Sequence, residues 1–523
     1  MRRPGTRLPQ GEALELESLM GSDDDLDNSP DLPLAMGSPQ NNTDRNAPQP
    51  KWLTGSRRFR PRFTWRRGLL LAFVIYAFYC FVRGSPLFAS PLPAYTGPHG
   101  VGAVDIEVPL DGGPQHVADG ISKETGKPAF EVETLLATIY YPTDRKFRSR
   151  KARYPWIPRP VSLKAQGYAR FAHVDNFLIR PIFTFGLWAI GGPITIPAEV
   201  DAPLLNSEKD DEGFPVMVFS HGMASSRTDY TNFLGELSSR GHVVVAIEHR
   251  DGSGPGSFIK TSAGTSGRKV LPLRSSDLQE ELDTPDFKRA QLAFRDAEIL
   301  AAVEVLRLIN DGHTVPNTRD PVDTFPDWAG RLDLDMLTIG GHSYGATGAL
   351  QALSTLKSTS PVAGIILDPG KSSGPLNPNA TVPILVVHSN SWSRMVSPFY
   401  GRPHFDTVKD LVRGIPAPSW FLTSVGTSHP SVTDAPLLEP LLLSWTTGAT
   451  LDVKEALKEY VHVADDFSLF VKDGKRRGIL AEAVTHPQYN EWITEKRKEE
   501  FPTELARLWE VHVTPDSQKE PTT

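Results

Sequence analysis

Leu334-Asp-Met-Leu-Thr-Ile-Gly-Gly-His-Ser-Tyr-Gly-Ala-Thr-Gly-Ala-Leu-Gln-Ala-Leu353 is the stretch on which the reading of this chain turns. At its centre Gly341-His342-Ser343-Tyr344-Gly345 has the form Gly-x-Ser-x-Gly. The pentapeptide carries meaning only in context, because its serine must sit on a sharp turn from an apolar strand into a helix. Residues 336–339 supply the strand and residues 346–353 the helix. The two glycines remove a Cβ where neighbouring backbone passes close by.

Outward from this turn the same alternation continues. Strand-like runs lie at 134–141, 216–219, 243–247, 334–339, 363–367, 384–387 and 420–425. Several are continuous apolar runs rather than alternating ones, as strands buried on both faces of a parallel sheet require. Helical patterns fall between them at 230–240, 287–310, 346–356 and 407–413. In the longest, Ala290, Ala293, Ala297, Leu300, Ala301, Val305 and Leu308 keep an apolar stripe at helical spacing. Strand–helix alternation with a nucleophile turn predicts the α/β-hydrolase fold: a mostly parallel sheet flanked by helices.

A serine hydroxyl is a weak nucleophile until a histidine takes its proton and an acid orients that histidine. In this fold the chain order is serine, acid, histidine. Asp368 ends the strand after Ser343 and precedes the turn Pro369-Gly370, whereas the strand after that meets no acid before Asp406. Asp368 is the expected acid. For the base, His429 follows the last strand in Gly426-Thr-Ser-His-Pro430. His388 is expected to pack beside the pocket and His404 to sit in a Pro-rich loop. His342 is expected to point away from Ser343, and His221, preceding the serine in the chain, to be structural. The oxyanion hole needs two backbone N–H donors. Tyr344, after the nucleophile, should give one; Met223, after the strand ending in Phe219-Ser-His-Gly222, should give the other.

Composition narrows the classes. The 523 residues carry a formal net charge of −7, which speaks against nucleic acid as a partner. With one cysteine, Cys80, the chain cannot build a disulfide framework or a cysteine-based zinc site. No convincing ligand cluster calls for a metal or cofactor.

The N-terminal part reads differently. Residues 1–67 are expected to be a disordered tail, acidic at Asp23-Asp-Asp-Leu-Asp27 and basic from Lys51 through Arg66 and Arg67. Residues 68–83 then hold fifteen uncharged, mostly apolar residues closed by Arg83. That is short against the roughly 20 a spanning helix needs, but flanking arginines can snorkel and Trp65 suits an interface. No Lys or Arg follows Arg83 until Lys123, so the expected topology is a single-pass anchor with a cytosolic N-terminus and a luminal or extracellular domain. The catalytic domain is expected over residues 95–450 and a helical extension over 451–523. The uncharged stretch 182–196 fits a segment that docks on lipid or walls an acyl pocket, or an ordinary core helix plus turn.

Several further blocks give a family resemblance. Tyr95-Thr-Gly-Pro-His-Gly-Val-Gly102, Tyr140-Tyr-Pro142, Phe219-Ser-His-Gly222, Ile247-Glu-His-Arg-Asp251, Gly341-His-Ser-Tyr-Gly345, Leu367-Asp368 and His429 occur in this order. In them the chain resembles the platelet-activating factor acetylhydrolases, the calcium-independent phospholipase A2 branch of the α/β-hydrolases, over about residues 95–450. The resemblance implies metal-independent hydrolysis of the sn-2 ester of phospholipids bearing acetyl or short oxidised acyl groups. It carries Ser343, Asp368 and His429 to the family triad and the Met223 and Tyr344 amides to its oxyanion hole. Glu248-His249-Arg250-Asp251 reads as structural ion pairing around the active-site rim. Two features depart from the family: Ala346 in place of a glycine, and the membrane anchor. The triad by itself would equally serve a general carboxylesterase or lipase, and the alternative from another class is a catalytically silent, membrane-anchored binding module.

Overall fold

A computed structural model describes residues 65–519 apart from 207–212, 261–266, 320–324, 326, 357–361 and 396. Apart from Trp65, Arg66 and Arg67, the expected disordered tail therefore lies outside the described residues.

Ten strands form the main sheet. In chain order they are β1 (Gly100–Pro109), β2 (Thr134–Thr143), β3 (Glu199–Val200), β4 (Phe214–Ser220), β5 (Val243–Ile247), β6 (Leu332–His342), β7 (Ala363–Leu367), β8 (Ile384–Ser389), β9 (Trp420–Ser424) and β10 (Trp509–Val513). Their spatial order is β10-β9-β8-β7-β6-β4-β5-β2-β1-β3. From β5 to β9 all neighbours are parallel. β2 and β10 close this block by antiparallel pairing. This is the α/β-hydrolase arrangement.

The named helices are α1 (Trp65–Arg83), α2 (Val161–Phe171), α3 (Ile179–Gly191), α4 (Thr231–Ser238), α5 (Thr284–Asn310), α6 (Tyr344–Thr355), α7 (His404–Gly414) and α8 (Val453–Asp473). Alternation along each central strand feeds two cores. Val216 and Val218 face the layer that holds α5, α6 and α7, while Met217 and Phe219 face the layer that holds α4 and α8. The helices have legible starts. Asp283 caps α5 by accepting from the Asp286 amide at 2.8 Å, with proline in the first turn.

The expected helical extension over residues 451–523 needs correction. It begins with α8, which packs into the core, but it ends in β10, an edge strand of the main sheet. Its sequence Trp-Glu-Val-His-Val alternates polar and apolar residues, so it reads as surface; yet His512 is fully buried, with Nε2 2.7 Å from Thr423 Oγ1.

β4 runs to β5 on one side and the chain later returns as β6 on the other. The sheet thus has its topological switch between β4 and β6, and ligands bind at the carboxyl end of such a crevice. Gly222 and Met223 follow β4; Ser343 follows β6.

Candidate active site

Ser343 ends β6 and opens α6 with φ 55° and ψ −123°, a backbone conformation that costs free energy for any residue with a Cβ. The surroundings enforce it. A Cβ on Gly341 would collide with the Gly345 carbonyl, and one on Gly345 with the Ser220 carbonyl, so only glycine allows β4 and α6 to approach this closely.

The structure brings the three sequence-predicted residues together. His429 Nε2 is 3.1 Å from Ser343 Oγ, and His429 Nδ1 is 2.8 Å from Asp368 Oδ2. This is the order of contacts that a nucleophile, base and orienting acid require. Asp368 also accepts from the Ser389 amide at 2.6 Å and the Ser389 hydroxyl at 2.7 Å. Those bonds fix the carboxylate and satisfy its remaining lone pairs. His429 is fixed in turn by its own amide, which donates to Ser391 Oγ at 2.9 Å.

Two neighbours of His429 escaped sequence reasoning. Trp392 stacks on its ring with centroids 3.9 Å apart and planes 11° from parallel. Its indole N–H donates to the Pro369 carbonyl at 3.0 Å, beside Asp368. His342 lies 4.5 Å from the His429 ring and lines the cavity, so the expectation that it points away is corrected. Its Nδ1 is 2.8 Å from Tyr230 Oη, and burial first, then His429, holds its pKa well below the usual histidine range. No local signal marks either contact, since each joins segments distant in the chain.

Met223 lines the same cavity as Ser343. The adjacent Gly222 amide is taken up by Tyr230 Oη at 3.2 Å. Among the described residues the Met223 amide has no protein acceptor, which leaves it available to a ligand. Tyr344 begins α6, with its ring buried beneath the Arg295 guanidinium and its hydroxyl donating to Gln291 Oε1 at 3.0 Å.

Beneath the Met223 loop lies the Glu248-His249-Arg250-Asp251 cluster. It is buried rather than on the rim, which corrects the expected placement. Arg295 donates to Asp251 Oδ2 at 2.8 Å and to the His221 carbonyl at 2.7 Å. His221 accepts at Nε2 from the His249 amide at 3.0 Å and is pulled down to about 4 by burial first and then Arg295. It is a neutral strut, as expected. His249 lies 2.6 Å from Ser220 Oγ and 2.6 Å from Glu298 Oε2. Burial pushes the Glu298 carboxyl up and the His249 imidazole down, disfavouring charge on both.

Of the competing histidines, His388 is fully buried with Nδ1 3.2 Å from Ser393 Oγ. His404 is not in a loop but is the first residue of α7, buried against His388. Neither touches Ser343. Among the described residues, His342, Asp368 and His429 also form the group whose donor atoms lie close enough to hold a metal ion. Both ring nitrogens of His429 and one of His342 are already engaged in the hydrogen bonds above, so the donor set suits proton transfer better than a cation.

The cavity over Ser343 measures about 440 Å³. Trp156, Tyr168, Phe171, Phe183 and Leu443 give it apolar walls. Asp229 is its buried acid, pushed up to about 7 by desolvation. Phe183 comes from α3, whereas Phe177 and Leu178 just before that helix, and Ile182 and Phe185 on it, face outward with 63–78% exposure. Within stretch 182–196, Phe183 thus walls the cavity while Ile182 and Phe185 meet solvent.

α1 is long and apolar enough to cross a membrane by length and composition, and is almost wholly exposed. It begins at Trp65, slightly before the expected Gly68. The segment after it is tied to α3, with the Leu87 amide donating to the Ala189 carbonyl at 3.1 Å and Tyr76 Oη donating to the Leu87 carbonyl at 2.8 Å.

The chain is similar to several known proteins. A platelet-activating factor acetylhydrolase of Cavia porcellus is 28% identical over 53% of this chain and 55% of its own length. Those of Canis lupus familiaris and Gallus gallus are 34% and 27% identical, over 41% and 50% of this chain and 46% and 57% of theirs. The chain thus spans about half the length of the curated relatives it matches. A solved ferulic acid esterase from Streptomyces cinnamoneus superposes with a TM-score of 0.46 at 18% identity, over 75% of this chain and 96% of that one. The family model for platelet-activating factor acetylhydrolase, isoform II, matches residues 88–467, and the chain belongs to that family.

Proposed function

We propose that the chain is a serine esterase that removes a short, acetyl or oxidised, acyl group from the sn-2 position of phospholipids through an acyl-enzyme on Ser343. The observation that carries this reading is the hydrogen-bonded line Ser343–His429–Asp368 at the base of an apolar-walled cavity. His429 Nε2 takes the Ser343 proton as Oγ attacks the ester carbonyl. The resulting oxyanion faces the Met223 and Tyr344 amides, where one donor is worth about 3–4 kcal/mol. Collapse breaks the bond to the sn-2 oxygen, which leaves with the proton from His429 as a lysophospholipid. Water, deprotonated by the same imidazole, then releases the acyl group. Trp392, stacked on the imidazole, and His342, tilted against it, hold it in place throughout.

The proposed location is a membrane, with α1 as a single-pass anchor, its N-terminus cytosolic and the hydrolase domain luminal or extracellular. The outward apolar side chains of α3, tied to α1 through Leu87, support a catalytic mouth held near lipid.

The test is a panel of phosphatidylcholines graded in sn-2 chain length, run beside 4-nitrophenyl acetate and a triglyceride. The proposal expects kcat/KM to be highest for the short sn-2 phospholipids and abolished by Ser343→Ala. Equal turnover of triglyceride, or indifference to chain length, would replace it with a general esterase.

A further inference from the structure

A second cavity, about 310 Å³, shares no lining residue with the one over Ser343. α2 serves both, giving Leu163 and Lys164 to this one and Tyr168 and Phe171 to the other. At its floor, Lys164 Nζ donates to Glu248 Oε1 at 2.6 Å, and Arg227 bridges Glu248 and Asp105 at 3.3 and 2.6 Å. Around its mouth stand Arg159, Lys260 and Arg319.

Among the described residues the charges do not balance. Glu107 already binds Arg250 at 2.5 Å and is shared with Arg319 at 3.1 Å. Among the described residues, six cations, Arg159, Lys164, Arg227, Arg250, Lys260 and Arg319, thus face three carboxylates, Asp105, Glu107 and Glu248. Among the described residues, neither Arg159 nor Lys260 forms an ion pair; Arg159 donates to the Gly192 carbonyl at 2.5 Å. Desolvation first, then the neighbouring guanidinium, lowers the pKa of Lys260 and of Arg319, the response of cations short of counter-charge.

The well also opens onto something. Arg159, Pro160, Leu163 and Phe258 are shared with a broad groove whose apolar wall is Phe177, Phe185 and Trp188. Phe177 and Phe185 are 78% and 63% exposed. A cationic well continuous with an exposed apolar groove matches an amphiphile with an anionic head and a hydrocarbon tail. A free phosphate would fill the well and leave the groove wet.

We infer that this is a second, non-catalytic lipid site: it holds one anionic phospholipid, headgroup phosphate among Arg159, Lys260 and Arg319, acyl chain along the groove beside α3. The site lies on the same α2–α3 unit that walls the catalytic cavity.

The experiment uses the full chain in non-ionic detergent micelles with photoactivatable, ether-linked lipids, which no esterase can consume. Phosphatidate is compared with phosphatidylcholine, and labelled peptides are mapped by mass spectrometry. Phosphatidate should label peptides spanning residues 156–188 and 256–270, with phosphatidylcholine labelling them at least about fivefold less. Lys260→Glu and, separately, Arg159→Gln should each weaken phosphatidate labelling at least about fivefold, the effect of one basic residue at an anionic lipid surface. Hydrolysis of 4-nitrophenyl acetate by the same variants should stay at the native rate, which also shows that they fold. Equal labelling by the two lipids, or labelling indifferent to both substitutions, overturns the inference. Complete displacement of phosphatidate by millimolar inorganic phosphate overturns it too, in favour of a free-anion site.

Discussion

Replacing Trp392 by leucine should lower kcat about 5- to 30-fold and leave KM close to native. The indole is 4% exposed and its ring centre is 3.9 Å from that of His429. Stacking on a neutral imidazole is present in ground and transition states alike, and an interaction common to both does not accelerate the chemical step. In the proposed acyl transfer, however, His429 becomes a cation, and a desolvated cation over an indole face is stabilised by about 1–2 kcal/mol. At 1.36 kcal/mol per tenfold, losing that term gives the stated range. Trp392→Phe supplies the contrast. It keeps an aromatic face, so kcat should fall by no more than about threefold, while loss of the bond to the Pro369 carbonyl costs about 0.5–1.5 kcal/mol of stability. Steady-state kinetics on a soluble short-chain ester, below each variant's melting temperature, read both. A folded Trp392→Leu protein with native kcat, or one whose deficit lies wholly in KM, would refute the reasoning.

Three further outcomes follow from the structure. Arg295→Met leaves the Asp251 charge buried and unpaired, so stability should fall by about 3–5 kcal/mol in urea melts, with kcat also reduced because the His221 carbonyl loses its anchor; a loss under about 1 kcal/mol would contradict the account of this network. Burial lowers Lys371 to about 8, below the usual lysine value, with Asp368 opposing. The unfolded chain therefore binds more protons than the folded one between pH 8 and about 10.4, and the destabilisation by the buried ammonium is whole below that window and gone above it. The stability of Lys371→Met relative to native should accordingly be most favourable at pH 7 and less so at pH 10, and equal urea-midpoint differences at both would count against it. Finally, Asn379 is exposed and begins Asn-Ala-Thr381, so a luminal domain should carry a glycan there, removable enzymatically and absent in Asn379→Gln; an unmodified Asn379 with a glycan at Asn41 would reverse the proposed orientation.

The central sheet was legible because its strands are continuous apolar runs bounded by glycine and proline. β5 and β7 fall where the run at 243–247 and the run at 363–367 place them. β1 was not legible. It buries Glu107, a residue that local pattern assigns to the surface, and Thr134, Arg250, Arg319 and the Lys260 amide, all distant in sequence, make that burial tolerable. β10 hides for the same reason, through His512. The order Ser343, Asp368, His429 could be read because parallel strands deliver their carboxyl ends to one edge, so residues just after β6, β7 and β9 must converge. What stacks on His429 could not be read that way. Trp392 reaches it from the helical turn after β8 and His342 from within the nucleophile motif itself, and no periodicity encodes which ring meets which.

The most direct test of the central claim is covalent. The chain is mixed with a fluorophosphonate, digested, and the modified residue located by mass spectrometry, with native, Ser343→Ala and His429→Ala proteins in parallel. The account predicts one adduct, on Ser343, absent in Ser343→Ala, formed at least about a hundredfold more slowly in His429→Ala, and lost in step with ester hydrolysis. An unmodified Ser343 in a protein that still hydrolyses esters, or esterase activity surviving in Ser343→Ala, would contradict it.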